Sequence, residues 1–371
     1  MTDEHLVRDS VYSTVPSGSF RAMLEVDRYG KRSDAFDEII SRTHDHFWDP
    51  MDSAYLNFDT PFDMESELLM PRDRTPELCG AVCDRLDEGA QIRLGNAVTR
   101  WTLSNILHGE QGALSLSTSL CEILHDPGAQ EYAANQAREE ARHVTAFNRY
   151  IEVRWGTPYP VGAVLGDLLD DLVTTPVVYK KLVGMQMLLE GLAMGAFANL
   201  HAHTNDPLLK RLVQLVMTDE AFHHRFGKIW AERTISRLTP AEQNVIEDWA
   251  AECFETLLFN LVNIRQKQVI YEEFGLEWEW VREAVREEFD DNVRRSELKE
   301  GANVFRVLVK TLLGAGIITD RTRHIYAGWV DMTELDSEKH ETPGEAVVAD
   351  GIEELRRINR ECRVIGQKGS V

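Results

Sequence analysis

Apolar residues recur three and four apart over one long stretch after another of this chain, and its prolines fall between or at the edges of those stretches. That period puts side chains on one face of a helix, and proline starts or stops a helix because it lacks an N–H and crowds the preceding turn. Four long helices are predicted: roughly 76–123, bounded by Pro76 and Pro127; 128–155, ended by the GTPYP turn; 176–203, begun at Pro176; and 207–237, begun at Pro207. No strand-type alternation is long enough to build a sheet, so the expected fold class is all-α.

The rest of the chain is arranged around these four. Residues 1–74 read as an irregular wrap with aromatic-rich turns (HFWDP, PFDM) and one helix near 33–47. A short helix near 162–172 fills the connection between the second and third long helices. Further helices are expected at 240–274, 277–293 and 299–315, closing a main domain over 75–330. The acidic, turn-rich stretch from Asp331 to Glu345 begins a tail, 331–371, expected to carry a short helix and to pack loosely.

With 371 residues the chain can bury a large core. Forty basic against sixty-two acidic residues give a formal charge of −22, which argues against a nucleic-acid or anionic-membrane surface. Cys79, Cys83, Cys121, Cys253 and Cys362 form no CxxC pair and no even disulfide framework, which fits a reducing compartment. Cys79 and Cys83 lie one helical turn apart and could share a metal or simply pack. No apolar run of signal-peptide type opens the chain, and a cytoplasmic location is expected.

The most apolar run, 182–200, is nearly long enough to span a bilayer. Lys180 and Lys181 cut it short and Glu190 sits at its centre, so a central buried helix accounts for it at lower cost.

Chemistry enters through a Glu-x-x-His pair that occurs twice, Glu140 with His143 in EEARH and Glu220 with His223 in DEAFH. Residues three apart share a helical face, so each pair offers one oxygen and one nitrogen ligand to a common point. Both pairs sit on apolar faces: Ala133, Ala137, Val144, Phe147 and Ile151 around Glu140; Val213, Val216 and Met217 around Glu220. A carboxylate buried there must be paired, protonated or metal-bound. Glu110 and Glu190 meet the same test on the two preceding helices. Glu110 to Glu140 and Glu190 to Glu220 each span thirty positions, so a helix pair carrying Glu and then Glu-x-x-His is repeated. The alternative is a set of buried glutamates paired to arginines such as Arg142 and Arg225.

One Glu from each of two helices and a Glu-x-x-His from each of two others is how ferritin-like di-iron and di-manganese carboxylate proteins hold their metals. Over about residues 85–237 the chain resembles that superfamily. The resemblance implies a ferritin-like four-helix bundle with additional N- and C-terminal helices, and Glu110, Glu140, His143, Glu190, Glu220 and His223 as metal ligands. Hard oxygen donors with one nitrogen per metal suit iron, or manganese at one or both positions. By the same resemblance Glu139 and Asp219 accept the outer ring N–H of the histidine of the opposite motif. His224 is either a third nitrogen ligand or a neighbour of the site; His201 lies nearer a cavity end, and His108 points elsewhere.

Within the superfamily the chain looks closest to the oxygenases, ribonucleotide reductase small subunits and soluble desaturases. Iron-storage members are much shorter. Where the small subunits have a radical tyrosine, four residues after the first motif histidine, this chain has Phe147, with Tyr150 one turn on. EEARH has the acid-Glu-x-Arg-His form of the hydrocarbon monooxygenases, whereas DEAFH has Phe222 in place of the arginine. The implied activity is oxidation of a small or long-chain apolar substrate by dioxygen at two irons, fed by an external electron donor, in a protein that is commonly a homodimer. Soluble acyl desaturase-like, radical-generating and non-catalytic metal-binding roles stand beside it.

Overall fold

The computed structural model describes residues 9–288, 304–337 and 344–362, and everything below concerns those. Helices of eight or more residues are numbered α1 (Asp37–Asp45), α2 (Glu88–Ile123), α3 (Pro127–Trp155), α4 (Ala163–Thr174), α5 (Lys180–His203), α6 (Pro207–Thr234), α7 (Pro240–Val262), α8 (Trp278–Glu288), α9 (Phe305–Gly314) and α10 (Glu345–Cys362). Among the described residues there is no strand, only an isolated bridge between Thr14 and Leu124. The fold is all-α.

Start signals work as the physics of helix ends requires. Asp87, Asp126 and Asp206 precede α2, α3 and α6, and each side chain accepts a backbone N–H of the first turn, from Ala90, Gly128 and Leu208 respectively. Proline follows Asp126 and Asp206 at the first helical position, where its missing N–H costs nothing. Several boundaries differ from expectation. The 76–123 prediction divides into two short turns, Pro76–Leu78 and Gly80–Cys83, before α2 begins at its Asp87 cap. The 240–274 helix breaks where the Asn263 side chain caps a new short helix, Ile264–Lys267, followed by Gln268–Glu273. Residues 33–47 open as a tight turn and become helical only from Asp37. The wrap also holds three single-turn helices, Asp9–Tyr12, Phe20–Met23 and Val26–Tyr29. Expected helical residues 289–293 and 299–303 lie outside the described residues. The last helix, α10, is not loose: Val348, Leu355 and Ile358 are buried in the same apolar cluster as Leu209 and Val216 of α6.

The first ten residues of α5, Lys180–Leu189, are wound as a π-helix, and the N–H of Glu190 reaches back to the carbonyl of Met185. From Lys181 through Leu188 every residue is buried. With no solvent face there is no stripe from which to read a period, so the sequence suggested an ordinary helix here. π segments are rare and gather at functional sites. The full Lys180–His203 helix is long and apolar enough to cross a membrane by length and composition, yet 67% of its most apolar window is buried inside the protein.

α2 packs on α3, and α5 packs on α6, which also touches α3. Two apolar clusters fill this four-helix assembly, and each helix passes from one cluster to the other. Leu107 and Ala113 on α2, Ala133 and Ala146 on α3, Leu188 and Met194 on α5, and Met217 and Phe226 on α6 fall on opposite sides of the change. Hence α2 and α6 run one way, α3 and α5 the other. Between the paired residues lie Glu110, Glu140 with His143, Glu190, and Glu220 with His223: a polar layer between two dry ones.

The small residues after Glu190 serve two purposes. A Cβ on Gly191 would stand 2.8 Å from the Leu308 backbone, and one on Gly195 would stand 2.3 Å from the Val304 carbonyl, so these glycines let α9 lie against α5. Ala193 and Ala196 instead line a cavity. Gly195→Ala is expected to lower stability by about 1–3 kcal/mol through overpacking. Gly109→Ala, where a Cβ meets nothing within 4 Å, should be neutral or slightly stabilising. Urea denaturation of the two variants checks the pair; equal midpoints would refute the close α5–α9 approach.

Candidate metal centre

Four glutamates and two histidines, one helical position or pair from each of α2, α3, α5 and α6, converge in the polar layer, all buried. Their ligand atoms form two quartets, Glu110–Glu140–His143–Glu220 and Glu140–Glu190–Glu220–His223, with atoms inside each quartet within 4.8 Å of one another. Glu140 and Glu220 belong to both. The arrangement is that of two adjacent cation positions, each with its own terminal Glu and His, joined by two shared carboxylates.

Both imidazoles are oriented from outside. His143 Nε2 lies 2.9 Å from Asp219 Oδ2, and His223 Nε2 lies 3.0 Å from Glu139 Oε2. A carboxylate only accepts, so each Nε2 carries the proton and donates it outward. Nδ1 therefore faces the cluster. His143 Nδ1 stands 3.2 Å from oxygens of Glu110 and Glu140 and 3.1 Å from Glu220 Oε1; His223 Nδ1 stands 3.0 Å from Glu140 Oε1 and 3.2 Å from Glu220 Oε2. One ring nitrogen can give at most one N–H, so it cannot satisfy two or three anionic oxygens.

Without cations, protons must take up the imbalance. Burial drives Glu110 and Glu190 well above the ordinary carboxyl range, the neighbouring charges of Glu220 and Glu140 adding to it at Glu190. Burial acts the same way on Glu140, but the adjacent His223 and His143 outweigh it and hold that carboxyl well below its usual range. Burial would lower His143 and His223; Glu110 in the first case, Glu140 and Glu220 in the second, instead push them well above their ordinary value. Two divalent cations would match the four carboxylates in charge and meet the Nδ1 lone pairs directly, and metal binding of this kind releases protons. The residues present fit such a pair of ions.

The arginine alternative finds a different place. Arg142 is buried and pairs with Asp219, Nη2 to Oδ1 at 2.6 Å, and more distantly with Glu139 at 3.5 Å, while Arg225 pairs with exposed Glu38. Among the described residues neither forms an ion pair with the four converging glutamates. Arg142 thus neutralises part of the outer acid layer. Trp48 joins it: its indole N–H donates to Asp219 Oδ2 at 2.8 Å, and its ring stacks on His143 with centroids 6.0 Å apart.

Other sequence candidates separate cleanly. His224 turns from the cluster and bonds Thr311 of α9, and burial, with Lys228 nearby, lowers it to about 4. It belongs to neither quartet. His108 bonds the Tyr159 carbonyl at 2.9 Å, and His201 is half-buried away from the ligands. Tyr150 donates to Asp206 at 2.7 Å, beside Arg154, and Phe147 stacks on Phe197. Cys83 bonds the Leu78 carbonyl, and neither it nor Cys79 belongs to a metal-ligand group among the described residues.

Sequence reasoning missed Trp48, Gln136, Gln186 and Tyr132. Gln136 Nε2 donates to Glu140 and Glu190, each at 3.1 Å, and its own Oε1 accepts from Gln186 at 3.1 Å. Each glutamine lies one turn before a converging glutamate, a spacing visible in the sequence but common by chance. Tyr132 is fully buried and its hydroxyl has no hydrogen-bond partner among the described residues.

No protein-family model matches this chain, and no curated protein sequence does.

Because Glu140 and Glu220 are shared, Glu140→Ala or Glu220→Ala is expected to remove tight binding at both positions, and Asp219→Asn to weaken it by roughly 10–100-fold. Metal content of the reconstituted variants decides; two ions retained by either alanine variant would refute the ligand assignment.

Proposed function

We propose that this chain is a ferritin-like dimetal carboxylate enzyme that holds two irons on Glu110, Glu140, His143, Glu190, Glu220 and His223 and oxidises an apolar organic molecule with dioxygen. The observation that carries the reading beyond metal storage or a structural site is a cavity of about 340 Å³ that reaches the two unshared glutamates, Glu110 and Glu190. A purely structural centre has no need of an approach to its ligands, whereas a reacting one keeps a side open.

The metals would supply the electrons and the activation of dioxygen, with an external reductant restoring them. The chain's own contribution is positional. Gln136 fixes the orientation of Glu140 and Glu190 by donating to both. Asp219 and Glu139 hold the histidine tautomers, and Arg142 and Trp48 hold Asp219. Ala193, Ala196 and Phe197 form an apolar wall beside the carboxylates, which excludes water and leaves room for a hydrocarbon. The nitrogen and oxygen donors suit manganese as well as iron. With a formal charge of −22, a basic surface on the electron donor would be favoured.

Anaerobic titration of metal-free protein with ferrous ion, followed by air, tests the proposal through iron stoichiometry and oxygen uptake. Two irons per chain and rapid oxygen consumption with a change in visible absorbance are expected. Two irons with no oxygen consumption would favour a non-catalytic metal-binding protein, and no iron uptake would sink the dimetal reading.

A further inference from the structure

The cavity that reaches the carboxylates has a second end. Along α2 it is lined at Val98, Trp101, Thr102, Asn105, Gly109 and Glu110. At 1.5 Å of rise per residue, Val98 to Glu110 spans about 18 Å. On the antiparallel α5, Ala193, Ala196 and Leu200 follow Glu190 in the same direction. An extended chain advances about 1.2 Å per bond. The channel therefore suits a linear molecule of roughly ten to fifteen heavy atoms.

Toward Trp101, away from the carboxylates, the cavity is lined by Glu77 and Lys267. Their side chains are only 3% and 12% exposed and form an ion pair through Glu77 Oε1, which also accepts from the Tyr271 hydroxyl at 3.3 Å. Among the described residues Glu77 Oε2 is buried without a hydrogen-bond partner, and so is Oδ1 of Asn105, whose amide donates to the carbonyl of Trp101 at 2.9 Å on the same cavity wall. Lys267 lies over the Trp101 ring, 5.2 Å from its centroid, and among the described residues makes no hydrogen bond other than that to Glu77. The end thus offers two idle acceptors and spare ammonium N–H donors.

Charge selects among heads. Glu77 and Lys267 cancel, and Arg74, also on the cavity wall, faces Asp73 at 3.9 Å. Because the pair is already neutral, a carboxylate or an ammonium head would enter as a buried charge that Glu77 and Lys267 do not balance between them. A hydroxyl donates once and accepts, so it can satisfy a buried acceptor and take an N–H from Lys267 without adding charge.

Building on the proposed function, we infer that Glu77, Lys267 and Asn105 form a head-group subsite for an uncharged, hydrogen-bond-donating group on an apolar chain, of the long-chain alcohol class, whose other end lies at Glu110 and Glu190. The polar end recognises, and the apolar end is presented to the metals.

The test is calorimetric titration of the full chain, without added metal, using 1-decanol, decyl methyl ether, decanoate and decylammonium at neutral pH. Decanol should bind at least tenfold more tightly than each of the others. Equal binding of the ether, which cannot donate, or tighter binding of either ion, would overturn the subsite. In Glu77→Gln the preference for decanol over decanoate should shrink at least tenfold, because Lys267 is then unbalanced; a uniform loss of both ligands would mean that Glu77 serves only the fold. Ala196→Phe, which fills the channel between its two ends, should abolish decanol binding, and undiminished binding there would place the ligand elsewhere. The two readings fail separately: two irons bound without decanol binding removes the subsite alone, and decanol binding without iron uptake removes the dimetal site alone.

Discussion

Taking four carboxylates and two imidazoles out of water into one layer is the constraint on which the rest of this molecule depends. Isolated buried ions cost many kcal/mol, so the layer can exist only if charges are balanced within it and oriented groups surround it. The balance is built in shells. Glu139 and Asp219 take the outward N–H of His223 and His143, Arg142 takes Asp219, and the Trp48 indole takes the same carboxylate. Inward, two histidine nitrogens and oxygens of four carboxylates are left facing one another, a set that protons fill badly and a pair of divalent ions would fill well.

The position of the layer explains the pattern of the helices. Each of α2, α3, α5 and α6 carries apolar side chains both before and after its ligands, so the polar stratum is sealed from both ends rather than lying at a surface. The N-terminal segment that looks irregular in sequence contributes to this seal. Trp48 reaches Asp219 across 171 positions of chain, and Phe36 packs against Phe226, just beyond His223. α9 closes the other flank by resting on Gly191 and Gly195 and by holding His224 away from the carboxylate cluster through Thr311.

This division also marks what could be read without coordinates. The four ligand helices and all six converging residues were legible because helical period, proline punctuation and buried charge are local signals, and the thirty-position repeat ties them together. The crossed pairing of Glu139 with His223 and Asp219 with His143 followed only from resemblance, and the distances now support it. Trp48, Gln136 and the Glu77–Lys267 pair carried no such signal. A tryptophan in a turn, a glutamine one turn before a glutamate, and a lysine in a helix break become functional candidates only when the fold brings them to the same place. The π-wound start of α5 was hidden for a different reason: a segment buried on every side has no polar face to reveal its winding.

The cavity then connects features that sequence left separate. It begins at carboxylates positioned by the four ligand helices and ends at side chains from segments outside them, Glu77 from the turn before α2 and Lys267 from the break after α7. Both breaks interrupt what periodicity predicted as continuous helix. A continuous helix through 263 would carry Lys267 onward with α7, and one through 84–87 would make Pro76–Leu78 part of α2; neither would turn back to meet the other. The interruptions are therefore what lets elements beyond the ligand helices line the channel, and they place a polar, charge-neutral pair beside Trp101, about 14 Å of helix rise from Glu110. In a cavity whose walls are otherwise mostly apolar, such a pair is a place along it where a polar group would be favoured over a hydrocarbon, at the opposite end from Glu110 and Glu190.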